Sequence, residues 1–192
     1  MRDDAPDLFR SFLESLGLDL SADPELHRTP ERVSELLRDL FGGLSEEPPT
    51  ISAFPTDSAA DPGAEHGAVV IAALPFTSMC VHHLLPFFGT VDVAYLPGEK
   101  MIGFGSVGRV VDHFARRPQV QERLIQQITD YLADALEPQG ILVRLRTRQL
   151  CMEMRGAQKR GELVSLAARG QLREGSYRSE LLAQFQAAER PL

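Results

Sequence analysis

Two cysteines and a pair of adjacent histidines are the residues of this sequence whose types and spacing could do chemistry. Cys80 and His83 are spaced C-x-x-H, so a turn would bring both side chains to one metal ion. The other cysteine, Cys151, is predicted to lie at the end of a strand. Two thiolates and one imidazole are three ligands that suit zinc, with the fourth tetrahedral position left for water. Spacing alone leaves two alternatives open, because the cysteines could also be buried thiols or a redox pair.

An open position on zinc would make this site catalytic, because water bound there is deprotonated near neutral pH and becomes a nucleophile. The neighbouring His82 cannot easily bind the same ion as His83. It is therefore a candidate acid or base beside the metal.

Apolar periodicity predicts the elements that must position these residues in the order ββααββ. This order is typical of an α+β fold with an antiparallel sheet that helices cover on one face. Open sheet edges are a liability, which favours closure through oligomerisation. Strands are predicted at 68–74, 88–96, 141–146 and 163–172, and the two helices between them at 107–114 and 120–136.

Three regions are predicted along the chain. Residues 1–44 form an N-terminal helical segment, because apolar residues recur at helical spacing and Thr29-Pro30 is typical of a helix start. Residues 45–65 are rich in Pro, Ser, Asp and Ala and are predicted to be a linker. Residues 66–192 form the catalytic domain with a C-terminal helix.

Composition limits the partners. The 192 residues carry a net charge of -7, which argues against a nucleic-acid binder held by phosphate contacts. No apolar run approaches the roughly 18 residues of a membrane span, and the acidic N-terminus has no signal core. We therefore expect a cytoplasmic protein that binds a small molecule, and no membrane.

Several blocks of the sequence combine specific residue types in a fixed order. The two most specific are S-M-C-V-H-H-L-L-P-F-F-G at 78–89 and A-R-R-P-Q-V-Q-E-R-L at 115–124. Shorter blocks are R-T-P-E-R-V at 28–33, V-A-Y-L-P at 93–97, I-G at 102–103, R-V-V at 109–111 and C-M-E-M-R-G at 151–156. Together, and in this order, these blocks resemble the GTP cyclohydrolase type I family.

The resemblance implies a tunnelling fold, in which ββααββ units join edge to edge into a homo-oligomeric ring, usually a toroidal decamer. It implies that Cys80, His83 and Cys151 bind Zn²⁺ and that His82 is the catalytic histidine beside the metal. The implied reaction opens the imidazole ring of GTP at carbon 8 with zinc-activated water. Formate is released, and a pterin ring closes to give 7,8-dihydroneopterin triphosphate.

Four substrate-binding residues follow from the same resemblance. Glu122 matches the carboxylate that holds the guanine edge, and a carboxylate can accept two guanine N–H bonds in one plane. Arg32, Arg109 and Arg155 match basic residues around the triphosphate, and guanidinium groups suit phosphate oxygens.

The sequence departs from the family pattern on the substrate side. The second catalytic histidine, two residues before the last zinc cysteine, is Gln149 here, and glutamine cannot exchange a proton near neutral pH. The G-L-S-K loop is Gly-Phe-Gly-Ser at 103–106, so its lysine is lost. A basic position is Glu35, and the Thr/Ser-rich final strand is E-L-V-S-L-A-A at 162–168.

Three functional hypotheses follow. The first is a zinc-dependent cyclohydrolase that acts on GTP, with Arg148, Lys159 or Arg160 replacing the lost cations. The second is a divergent zinc hydrolase of the same fold that acts on another purine-like heterocycle or stops at the ring-opened formamide. The third is a non-catalytic ring protein that binds a purine or a pterin, which the intact metal ligands argue against.

Overall fold

The chain forms an α+β structure built around one five-stranded sheet, and the computed structural model describes residues 4–56 and 67–189. Part of the predicted linker, 57–65, and the predicted boundary at residue 66 lie outside these ranges. The helices are α1 (Ala5–Ser15), α2 (Thr29–Leu40), α3 (Phe104–Ala115), α4 (Gln121–Leu136), α5 (Leu150–Glu153) and α6 (Ser176–Ala187). The strands are β1 (Ala53–Pro55), β2 (Val69–Cys80), β3 (Pro86–Leu96), β4 (Lys100–Ile102), β5 (Pro118–Gln119), β6 (Gly140–Gln149) and β7 (Glu162–Gly170).

The sheet has the strand order β5-β2-β3-β6-β7, and the small strands β1 and β4 pair separately. The long neighbours are antiparallel, and only the two-residue β5 runs parallel to β2. Helices α3 and α4 lie in the chain between β3 and β6. The predicted ββααββ order and the tunnelling-fold class are therefore confirmed. No helix in 4–56 or 67–189 is long and apolar enough to cross a membrane.

The main core lies between one face of the sheet and helices α3 and α4. Alternate residues of β3 and β6 supply the sheet side of this core, because successive side chains of a strand point to opposite faces. The helices supply residues at helical spacing, which explains why periodicity located both of them. Core residues include Val91, Val93 and Tyr95 of β3, Val107 and Val110 of α3, and Leu124 and Ile128 of α4.

The predicted C-terminal helix packs on the opposite face of the sheet. Leu181 and Phe185 of α6 are fully buried against Ala94 and Leu142, which point away from the main core. The sheet is thus covered by α3 and α4 on one side and partly by α6 on the other.

Three local boundaries differ from those expected. The first long strand continues past residue 74 to Cys80, because a bulge between Ile71 and Leu74 restores its pairing with β3. The linker is not wholly irregular, since β1 pairs with β4. Cys151 lies in the short helix α5 rather than at the end of a strand, because β6 ends at Gln149.

The bulge in β2 is held by a buried carboxylate. Ala73 has a left-handed φ of 57°, and its N–H donates to Oδ1 of Asp92 at 2.8 Å. The other oxygen of Asp92 accepts from Nε of Arg144 at 2.8 Å, and both side chains are nearly inaccessible to solvent. Arg144 continues to the Phe185 carbonyl at 2.9 Å and to Glu189 at 2.6 Å. This cluster ties four elements together: β2, β3, β6 and α6.

A buried histidine lies near the end of α3. His113 is 5% exposed and its Nε2 contacts the guanidinium of Arg117. Burial, followed by the charge of Arg117, lowers the pKa of His113. Arg116 acts in the same direction, and the carboxylates of Glu46 and Glu47 oppose it. The neutral imidazole is therefore the form that the folded state favours.

We predict that this histidine makes the protein less stable in mild acid. The pKa of His113 is lower in the folded chain than in the unfolded chain, where it is about 6.5. The neutral imidazole therefore contributes to the free energy of unfolding above about pH 6.5, and this contribution is lost as the pH falls below that value. His113→Gln should therefore flatten the fall in Tm between about pH 7.5 and 5.5. The exposed His27→Gln is the control in thermal unfolding. Parallel Tm curves for wild type and His113→Gln would contradict the prediction.

Candidate active site

The end of β2 and the turn after it hold the C-V-H-H motif in a fixed conformation. The N–H of Cys80 donates to the Leu85 carbonyl, and the N–H of Leu84 donates to the Cys80 carbonyl, both at 2.9 Å. Leu84 takes a left-handed φ of 52°, which closes the turn. Cys80 is buried, whereas His82 and His83 are exposed. The turn thus buries the thiol and presents both imidazoles at the surface.

The fold brings the two cysteines together although they are far apart in sequence. The side chain of Cys151, in α5, contacts the Cys80 thiol. Burial, followed by this contact, raises the pKa of Cys151, and the positive charge of Arg155 opposes the shift. Sγ of Cys80 lies 3.7 Å from Nδ1 of His82. Two thiols and an imidazole therefore meet where β2 and β6 end.

The predicted ligand His83 lies on the same turn, and its Nε2 contacts the guanidinium of Arg155. In the described ranges, no group of three or more His, Cys, Asp or Glu side chains is arranged to hold a metal ion. The donor types nevertheless fit Zn²⁺, since two contacting thiols and a neighbouring imidazole are the soft and borderline ligands it prefers.

The side chain of Gln149, predicted above to replace a catalytic histidine, forms hydrogen bonds within the protein. Its amide nitrogen lies 3.0 Å from Oε1 of Gln121 and 2.9 Å from Oγ1 of Thr147. Sequence analysis did not single out Gln121 or Thr147. The adjacent Gln and Glu at 121–122 could have indicated residues of the site. Helical periodicity alone, however, predicts that both lie on a solvent-exposed face at the start of a helix.

The predicted substrate-binding residues lie in different places on the single chain. Glu122 is exposed in the first turn of α4, next to Gln121. Arg155 reaches the cluster through His83. Arg32 is exposed on α2, and Arg109 is exposed on α3, where it donates to Oγ of Ser106 at 2.9 Å. Arg109 lines a cleft with Glu46, Asp112 and Arg116 rather than with the cysteines.

The three cations considered as replacements differ in their availability. Arg148 pairs with Glu153, at 3.0 Å from its Nε, and its guanidinium lies over the Phe88 ring. It is therefore committed to an internal ion pair. Lys159 and Arg160 are exposed in the segment between α5 and β7.

The sheet with its covering helices and the thiol–imidazole cluster define an α+β tunnelling-fold protein with a candidate metal centre. Residues 6–186 match the family model described as GTP cyclohydrolase I. The chain belongs to the GTP cyclohydrolase I family and is an enzyme of that type.

Curated relatives are similar in sequence to this chain over most of its length. A GTP cyclohydrolase 1 of Geobacillus kaustophilus is 39% identical and covers 93% of each chain. One of Carboxydothermus hydrogenoformans is 40% identical over 84% of this chain and 82% of its own, and one of Streptomyces avermitilis is 37% identical over 95% and 90%. Among solved structures, an archaeosine synthase QueF-Like matches at 18% identity and a TM-score of 0.40, over 52% of this chain and 92% of its own.

Proposed function

We propose that this protein is a zinc-dependent cyclohydrolase. In this proposal it opens the imidazole ring of GTP, releases formate and gives 7,8-dihydroneopterin triphosphate. The contact between Cys80 and Cys151, with His82 and His83 on the adjoining turn, is the observation that supports the proposal. The relatives named GTP cyclohydrolase 1 support the choice of GTP.

In this proposal the side chains of Cys80, His83 and Cys151 hold the metal ion. When bound, Zn²⁺ would supply Lewis-acid activation of water. His82 is exposed beside Cys80, where an imidazole can move a proton to or from the reacting purine.

Recognition of the nucleotide falls to the remaining predicted residues. Glu122 would accept the N1–H and 2-amino hydrogens of guanine, a planar pair of charge-assisted hydrogen bonds. Arg32, Arg109 and Arg155 would bind phosphate oxygens. Because Arg109 lines a cleft that contains neither cysteine and Arg32 is exposed on α2, we propose that a second copy of the chain supplies them.

The oligomer in this proposal is a ring that joins sheet edges, such as a toroidal decamer. Among residues 4–56 and 67–189, strand β5 pairs with only Met79 and Cys80 of β2, and no other strand covers the rest of that edge. At the other edge, β7 exposes Val164 and Leu166. Joining two such edges would pair their backbone groups and bury apolar side chains. We also propose a cytoplasmic location, where free thiols stay reduced.

A second candidate is the same reaction stopped at the ring-opened formamide. The observation that favours it is the environment of Gln149, whose amide hydrogens are directed to Gln121 and Thr147. Without a proton donor at this position, the later steps would lose a contribution that is commonly worth about 10²–10⁴-fold in rate.

The full-length zinc-loaded protein with GTP separates these candidates. Formate, together with a fluorescent neopterin after oxidation, supports the complete reaction. Ring-opened formamide without formate supports the second candidate. If neither product forms, both are wrong.

We predict that Gln149→His raises formate release by about 10²-fold, because the imidazole adds a proton donor and still offers one N–H to Gln121. Gln186→His, on the exposed side of α6, is the matched control in the same formate assay. An unchanged rate in a folded Gln149→His variant would show that this position does not limit the reaction.

A further inference from the structure

The side chain of Gln121 is the buried centre of a hydrogen-bond network that joins the start of α4 to β6 and β7. It is 2% exposed. Its amide nitrogen donates to Oγ of Ser165 at 3.0 Å and to the Leu163 carbonyl at 3.1 Å. Its Oε1 accepts from the hydroxyl of Thr147 and from Nε2 of Gln149, the latter at 3.0 Å. These contacts attach the first residue of α4 to two strands.

Gln149 uses its donors within this network. A side-chain amide nitrogen carries two hydrogens. The nitrogen of Gln149 has two acceptors, Oε1 of Gln121 and Oγ1 of Thr147 at 2.9 Å. Both hydrogens are therefore engaged within the protein, which makes Gln149 a donor to the network rather than to a substrate.

The network anchors the first turn of α4, which has no side-chain cap. The N-cap residue of α4 is Val120, which makes no side-chain hydrogen bond to the helix. The first turn is instead attached through Gln121, the residue directly before Glu122. Glu122 directly follows Gln121, so the backbone that carries its carboxylate begins at the anchored residue.

We propose that Gln149 is a positioning residue that fixes Gln121 and, through it, aims Glu122 at the purine. This rests on the proposed function, because Glu122 is there the group that binds the guanine edge. Gln149 lies two residues before Cys151. Its side chain therefore also fixes the position of the purine-binding carboxylate with respect to the metal ligands. Its role is nucleotide selection rather than proton transfer.

Selection between guanine and hypoxanthine measures this role. Guanine offers two hydrogens to a well-placed carboxylate, N1–H and one of the 2-amino group, whereas hypoxanthine offers only N1–H. A hydrogen bond to a charged group is worth about 1.5–3 kcal/mol, which is about 10- to 100-fold in affinity. A carboxylate that is no longer held in place loses this advantage for guanine first.

The experiment compares wild type and Gln149→Ala as full-length zinc-loaded proteins. Binding and kcat/KM are measured for GTP and for inosine triphosphate. We expect wild type to prefer GTP by about 10-fold or more, and Gln149→Ala to lower this preference at least about threefold through a higher Kd and KM for GTP. An equal loss for both nucleotides, or no preference in wild type, would overturn the proposal.

Two further variants separate positioning from general damage. Ser165→Ala removes a partner on the other side of Gln121 and should lower the GTP preference in the same direction. Gln186→Ala, an exposed glutamine outside the network, should leave it unchanged. If GTP binds with the expected preference but no product forms, the proposed reaction is wrong while the positioning role is supported. If product forms and the preference is the same in all variants, the positioning role is wrong.

Discussion

Replacing Cys151 by serine should abolish stoichiometric zinc binding and reduce ring opening of GTP by about 10³-fold or more. The serine hydroxyl is a poor substitute for a thiolate, so the proposed ligand set falls from three protein groups to two. Loss of an outer partner of a zinc ligand alone costs about 10–100-fold in affinity, and loss of a ligand should cost more. Metal-ion stabilisation of a transition state is worth several kcal/mol, which is the basis of the rate estimate.

The measurements are zinc per chain after dialysis and the rate at which GTP is consumed. Met154→Ser places the same new residue in an exposed position three residues further along and should change neither value. The two variants should also melt like the wild type when all are stripped of metal. Full zinc retention in Cys151→Ser would show that this thiol is not a ligand.

The elements that could be predicted are those whose burial follows a simple period. Val91, Val93 and Tyr95 alternate with residues of the other face, and Leu124, Ile128 and Leu132 recur at helical spacing. Such patterns are direct consequences of packing on one face. Helix α6 carries a weaker pattern, because only Leu181 and Phe185 of its side chains are fully buried.

Other features depend on contacts between distant residues and leave no local pattern. The approach of Cys80 and Cys151 is one of them, since it requires β2 and β6 to end at the same side of the sheet. The proposal of Arg148 as a phosphate ligand is another, because its pairing with Glu153 is visible only in the folded chain. The role of Gln149 likewise depends on Gln121, which comes from another element.

Asp92→Ala should be the most destabilising of the substitutions considered, at about 3–5 kcal/mol of unfolding free energy. It removes the inner partner of Arg144, a guanidinium whose side chain is 6% exposed. It also leaves the N–H of Ala73 without its acceptor at a backbone angle that alanine rarely adopts. For a chain of this size the loss corresponds to a fall in Tm of about 10 °C.

Asp130→Ala is the matched control, because Asp130 also accepts from an arginine, Arg169, but is 54% exposed. Its cost should stay within about 1 kcal/mol in chemical denaturation. An equal cost for the two substitutions would contradict the prediction. The double variant Asp92→Leu with Arg144→Met sharpens the test, since an apolar pair leaves no buried charge uncompensated. It should recover part of the stability that Asp92→Ala loses, which would attribute that part to the buried guanidinium of Arg144 left without its inner carboxylate.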